Sequence, residues 1–168
     1  GVIDSVIRNQ NQNISTLKQH INHQLPMVRS NLIISLINNT TNDTDTLKRM
    51  LSLAEISVEP HVYYYLITLF ISRTFLYGLD NKNNRIIKLH LTEQLNLLCD
   101  NYVNIITCDV SETTTVALII TDRTDISQLT LKISAELERH YASMVQYTVS
   151  APVESLLALH DCFIQARL

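Results

Sequence analysis

The sequence predicts an α+β domain, a sheet with an antiparallel central hairpin and helices packed on it, led in by a coiled-coil helix. Three observations carry this. Apolar residues near the N-terminus recur every seven positions, and helix-like and strand-like segments then follow in mixed order. Two strand-like runs, Tyr102–Cys108 and Thr114–Thr121, are separated only by the polar turn Asp109–Thr113. Mixed order around a central hairpin favours an α+β sheet over a doubly wound parallel one.

The lead-in comes first. Ile7, Ile14, Ile21 and Val28 share one seam position of the seven-residue frame, while Ile3, Gln10, Leu17 and Gln24 share the other. A strict seven-residue repeat keeps a helix seam facing a partner, and isoleucine at the first seam position suits two parallel strands. The two glutamines weaken the seam while fixing its register. The alternative is an amphipathic helix packed on its own domain. Pro26 removes a donor and clashes with the preceding turn, so a kink or a new helix start is expected there. The chain is accordingly divided into a lead-in helix, 1–25, and one domain, 26–168.

The domain opens with a helix over Met27–Asn38 carrying Val28, Leu32 and Leu36 on one side. Asn38–Asp45 is built from Asn, Thr and Asp, which is loop chemistry with N-cap candidates at Asp43, Thr44 and Asp45. A short helix follows with Leu47, Met50, Leu51 and Ala54. Val62–Ser72, rich in β-branched and aromatic residues, reads as a buried strand, and the polar run Asp80–Arg85 reads as a loop. Ile87, Leu91, Leu95 and Leu98 then line one helix face, opposite Lys88, Glu93 and Gln94.

After the hairpin, Asp125 followed by Gln128 has the spacing of a capping box, ahead of a stripe of Ile126, Leu129, Ile133 and Leu137. Met144–Ser150 alternates, with Val145, Tyr147 and Val149 on one face of a strand. Pro152 is placed where the last helix could begin, with Leu156, Leu159, Phe163 and Ala166 inward.

Composition removes several function classes. The chain has 168 residues, 46% apolar and 17% charged, with a net charge of -3, which provides no basic field for direct nucleic-acid binding in this segment. The longest uncharged apolar run, Val62–Ser72, is far shorter than the roughly 18–20 residues that cross a bilayer, so no membrane insertion is expected in this segment. Cys99, Cys108 and Cys162 are odd in number and lie in apolar stretches, as buried thiols in a reducing compartment do. Gly1 and Gly78 are the only glycines, so phosphate-cradling loops and a nucleophile elbow are absent.

The order of elements resembles the ferredoxin-like layout of nucleotidyl-cyclase-like domains. Leu25-Pro26-Met27-Val28-Arg29, running into Ser30–Ile37, resembles the arginine and apolar helix that open one degenerate branch. Tyr147-Thr148-Val149-Ser150, then Glu154-Ser155-Leu156 and the helix to Leu168, resembles its closing strand and helix. That branch is the GGDEF-like middle domain of membrane-anchored AraC-type transcriptional regulators. The resemblance implies a cytoplasmic segment, with a sensor and membrane span before it and a DNA-binding domain after it. It implies a homodimer formed through the N-terminal helix, with DNA reached only through that later domain.

Active members carry Gly-Gly-Asp/Glu-Glu-Phe at the hairpin and a metal-binding acid at the end of the first strand. Here the turn is Asp109-Val110-Ser111-Glu112-Thr113 and the strand ends Leu69-Phe70-Ile71-Ser72-Arg73. The product-binding arginine expected before the signature is missing from Asn104–Cys108. The expectation is a domain without catalysis, cofactor or metal.

Other groups are weighed against plainer roles. Asp109 and Glu112 could bind a cation or serve as solvated turn residues. His20 and His23 could bind a metal or sense pH, or lie on a polar face beside the seam. His160 and Cys162 suit helix packing and surface, and Tyr63-Tyr64-Tyr65 either stacks a ligand or divides between core and sheet face. Two further readings stand beside the signalling module. One is a ligand-binding pseudo-enzyme for a nucleotide or cyclic dinucleotide, and the other is a glycan-bearing structural protein with a coiled-coil stalk.

Overall fold

The structure is a computed structural model that describes residues 24–41, 43–57, 59–78, 81–99 and 104–167. The predicted seam residues Ile3, Ile7, Gln10, Ile14, Leu17 and Ile21 lie outside the described residues, as do His20 and His23.

A helix over 24–37 (α1) leads into α2, Thr44–Leu53. Residues 24 and 25 are already helical, so no new helix starts at Pro26. Leu32, Ile33, Leu36 and Ile37 repeat at i, i+4 and are each no more than 2% exposed, which seats α1 on the sheet. Each such burial contributes about 1.5–3 kcal/mol. Two non-glycine residues in the left-handed region end these helices, Asn39 at φ 57° and Glu55 at φ 55°. In both cases the next amide reaches back over five residues, Thr40 to Ser35 at 3.0 Å and Ile56 to Leu51 at 3.0 Å. Of the three cap candidates, Asp43 starts α2. Its carboxylate accepts from the amides of Asp45 and Thr46 and from the Thr46 hydroxyl. The Thr46 hydroxyl, then those amides, hold the Asp43 carboxyl below the usual carboxylate range.

Strand β1, Tyr63–Ile71, is followed by the short helix α3, Arg73–Tyr77, and by α4, Asn81–Cys99. Helix α3 has no counterpart among the expected elements, and a loop was expected over 80–85. The run from Asn81 to Arg85 is helical instead, because its polar composition reports an exposed first turn and not the backbone conformation. The hairpin forms as expected, β2 at Asn104–Asp109 and β3 at Thr114–Thr121. Helix α5, Ser127–Tyr141, buries the predicted Leu129, Ile133 and Leu137. It has no capping box: Ile126 is the N-cap, and Asp125 Oδ1 accepts the Ser127 amide at 2.9 Å ahead of it.

Strand β4, Val145–Val149, precedes α6, Leu159–Ala166, which follows a 3-10 turn at Leu156–Ala158. No helix begins at Pro152. The chain stays extended there, and Val153 bridges back to Tyr64. Ile67 pairs with Val149 and Tyr64 with Val153, so β4's continuation carries one residue more than the β1 segment it faces. This is a bulge, and it accommodates a proline that has no amide to give.

The sheet order is β2-β3-β1-β4, every neighbouring pair antiparallel. β1 and β2 therefore run parallel with β3 between them. Both faces are covered. Tyr64 and Leu66 join α1, α2 and α6 in one core, while Tyr65, Ile67, Leu69 and Ile71 join α4 and α5 in the other. The tyrosine run thus divides between two cores through the period of two along a strand.

Candidate functional site

Antiparallel pairing of β1 with β3 brings the end of β1 beside the hairpin turn, where the Ile71 amide donates to the Thr113 carbonyl at 2.8 Å. The turn is closed on itself. Val110 and Ser111 amides donate to the Thr114 carbonyl at 2.9 and 3.2 Å, and the Thr113 amide donates to Ser111 Oγ at 3.3 Å. Asp109, the last residue of β2, accepts the Thr115 hydroxyl on Oδ1 at 2.8 Å. Glu112 is exposed, and Val110 packs against the α1-side core. Helix α4 adds Lys88, whose ammonium donates to the Ser111 carbonyl at 2.8 Å. The sequence reading had placed Lys88 only on a solvent face, since nothing local marks a contact 23 residues away.

Chemically, this end of the sheet offers one carboxylate engaged by a hydroxyl, one free to water, a lysine and the Ser72–Arg73 corner. A hard divalent cation asks for several converging oxygens. Among the described residues no group of three or more His, Cys, Asp or Glu is arranged to hold a metal ion.

The opposite end of the sheet holds an open cleft of about 740 Å³ that the sequence did not reveal. Its walls come from α1 (Arg29), the stretch after α2 (Glu55–Ser57 and Glu59–Val62), the start of β2 (Asn104) and the end of β3 (Thr121, Asp122). Four segments distant in sequence give no local pattern to read. Arg29 Nε donates to the Ala54 carbonyl at 3.0 Å, fixing α1 to the end of α2. Two wall residues, Glu55 and His61, have φ of 55° and 67°. Glu55, Glu59, Asp122, Arg29 and His61 give the cleft a mixed-charge lining.

Of the remaining candidates, Gln24 is exposed and Val28 packs against the α1-side core. His160 Nδ1 donates to the Ile37 carbonyl at 2.6 Å, so it closes the end of α1 from α6. Cys99, Cys108 and Cys162 are free and buried. Burial pushes the Cys99 thiol up to about 11 and raises that of Cys108, which leaves both poor nucleophiles. A ring cluster joins α4 to α5: His90 Nδ1 lies 2.5 Å from the Tyr141 hydroxyl, and His140 bonds Glu136 at 3.1 Å. The His90 and His140 rings meet edge-on at 5.3 Å. Among the described residues no helix is long and apolar enough to cross a membrane.

Comparison with protein-family models, with curated proteins and with solved structures finds no match to this chain.

Proposed function

We propose that the chain is a non-catalytic signal-relay and dimerisation module of a transcription regulator, built on a degenerate GGDEF-like domain. In this reading the split strand order is the ferredoxin-like, nucleotidyl-cyclase-like one, and the segment is the cytoplasmic middle of a membrane-anchored AraC-type protein. An upstream sensor acts on the coiled-coil lead-in, and a downstream domain binds DNA.

The observation that carries the reading is the seating of α1. The heptad frame runs into a helix whose Leu32, Ile33, Leu36 and Ile37 are fully buried on the sheet, with Arg29 tying it to the end of α2 and His160 tying its C-terminal end to α6. A rotation or register change in the lead-in would have to move the domain with it, which is what a relay requires. The hairpin turn and the end of β1, meanwhile, lack the glycines and the acid that cyclase chemistry needs. Sedimentation equilibrium tests the proposal. The parent chain is expected to dimerise, and Ile14→Asp with Ile21→Asp to weaken that dimer strongly. A parent chain monomeric at high micromolar concentration, with no effect of the substitutions, would sink it.

The cleft of about 740 Å³ favours a second reading, a pseudo-enzyme that binds a nucleotide or cyclic dinucleotide without turning it over. Calorimetric titration with both ligand types decides it. Saturable binding lost on replacing Asp109–Thr113 would place the ligand at the hairpin, binding lost on Arg29→Ala would place it in the cleft, and no heat would dismiss it.

A further inference from the structure

Helix α4 buries one side against the sheet, where Leu91, Leu95 and Cys99 are no more than 1% exposed. Its outward side carries exposed apolar residues among the exposed Lys82, Asn83, Arg85, Glu93 and Asn96, where such a helix ordinarily shows polar residues to water. Ile86, Leu89 and Leu97 are 52%, 59% and 70% exposed. At 100° per residue these three and the exposed Lys82 and Glu93 fall within an arc of about 80°. They form one stripe along four turns of helix. Lys82 and Glu93 make no ion pair among the described residues.

From Lys82 to Glu93 the order of residues along this stripe is self-complementary. In an antiparallel pairing of two α4 helices centred between Ile87 and Lys88, Ile86 of one copy meets Leu89 of the other, and Lys82 meets Glu93. Each contact occurs twice because a two-fold interface uses the same patch on both chains. The apolar pairs lie at the centre with the opposite charges flanking them, while Leu97 extends a turn past Glu93, beyond the paired stretch. A parallel pairing would set lysine near lysine and glutamate near glutamate, so the charges select the antiparallel one.

We propose that the outward face of α4 is a two-fold interface with a second copy of this chain. It uses residues separate from the lead-in seam, so it stands or falls independently of the relay. One helix pair is a small contact of the weak, reversible class. A chain with two isologous interfaces can close into a tetramer or extend into an array, and the α4 contact would set which one forms.

The test is a charge swap read by sedimentation equilibrium, carried out in the Ile14→Asp/Ile21→Asp background so that lead-in pairing does not contribute. All the substituted α4 side chains are exposed, so folding is not at stake, and circular dichroism verifies it. The expected result is a reversible dimer at high micromolar concentration. Lys82→Glu alone, or Glu93→Lys alone, raises its dissociation constant about tenfold by setting like charges together twice. The double variant Lys82→Glu/Glu93→Lys returns it toward the parent value. A monomer throughout, or single and double variants that behave alike, would overturn the proposal.

Discussion

Thr68 shows most simply how a single residue sits in this fold. It lies in the middle of β1, 0% exposed, opposite Val116 on β3 and Thr148 on β4, and its hydroxyl has no hydrogen-bond partner. A buried unpaired hydroxyl costs about 1–3 kcal/mol of desolvation, and valine has nearly the same shape without it. Thr68→Val is therefore expected to stabilise the chain by about 1 kcal/mol, read as a higher urea midpoint at unchanged slope. A lower midpoint would mean that the hydroxyl has a bonded role. The Asp43 cap was legible in the sequence, but the unpaired hydroxyl of Thr68 was not. The β1 pattern announces burial, but a threonine in a β-branched run looks the same whether or not its hydroxyl is satisfied.

Elements were legible where one regular pattern dominates. The α5 stripe and the alternation of β4 follow from periods of 3.6 and 2, the hairpin from two strand-like runs separated by a short polar turn, and all three are present in the structure. Elements were misread where composition stood in for conformation. The start of α4 looked like a loop because its first turn is polar, and Pro152 looked like a helix start when it belongs to a bulge. That bulge leaves a gap in the ladder, and Ser150 fills it. Its hydroxyl accepts the Leu66 amide at 2.9 Å, and its own amide donates to the Leu66 carbonyl at 2.9 Å. Ser150→Ala strands the Leu66 amide and is expected to cost about 1–2 kcal/mol in thermal unfolding, whereas an unchanged melting temperature would show that water replaces it. Helix α5 ends on Ala142 at φ 50°, ψ -130°, a conformation that only glycine adopts without strain. Ala142→Gly is expected to stabilise by about 1 kcal/mol in the same assay, and a destabilised variant would contradict the strain. Like Glu55, it shows a chain almost without glycine turning a corner on a residue that carries no turn signal, whereas Asn39 does so within a run already marked as a loop.

At the scale of the whole molecule, β1 belongs to both cores, so the helices on the two faces of the sheet are coupled through one central strand. On one face α1 buries Leu32, Ile33, Leu36 and Ile37, and on the other α4 presents its unburied apolar stripe. The hairpin turn was readable as a place because its flanking strands are local. The cleft at the far end was not, since four separated segments build it. Parallel pairing of the lead-in with a second copy underlies the proposed relay, and oxidative cross-linking is its sharpest test. The native thiols are buried, so a new cysteine on the lead-in reports its own neighbours. In a parallel, in-register seam Ile14→Cys lies against its counterpart, while Gln12→Cys points outward. Ile14→Cys is expected to give a disulfide-linked dimer under mild oxidation and Gln12→Cys little. Equal yields at the two positions, or a monomer at both, would contradict it.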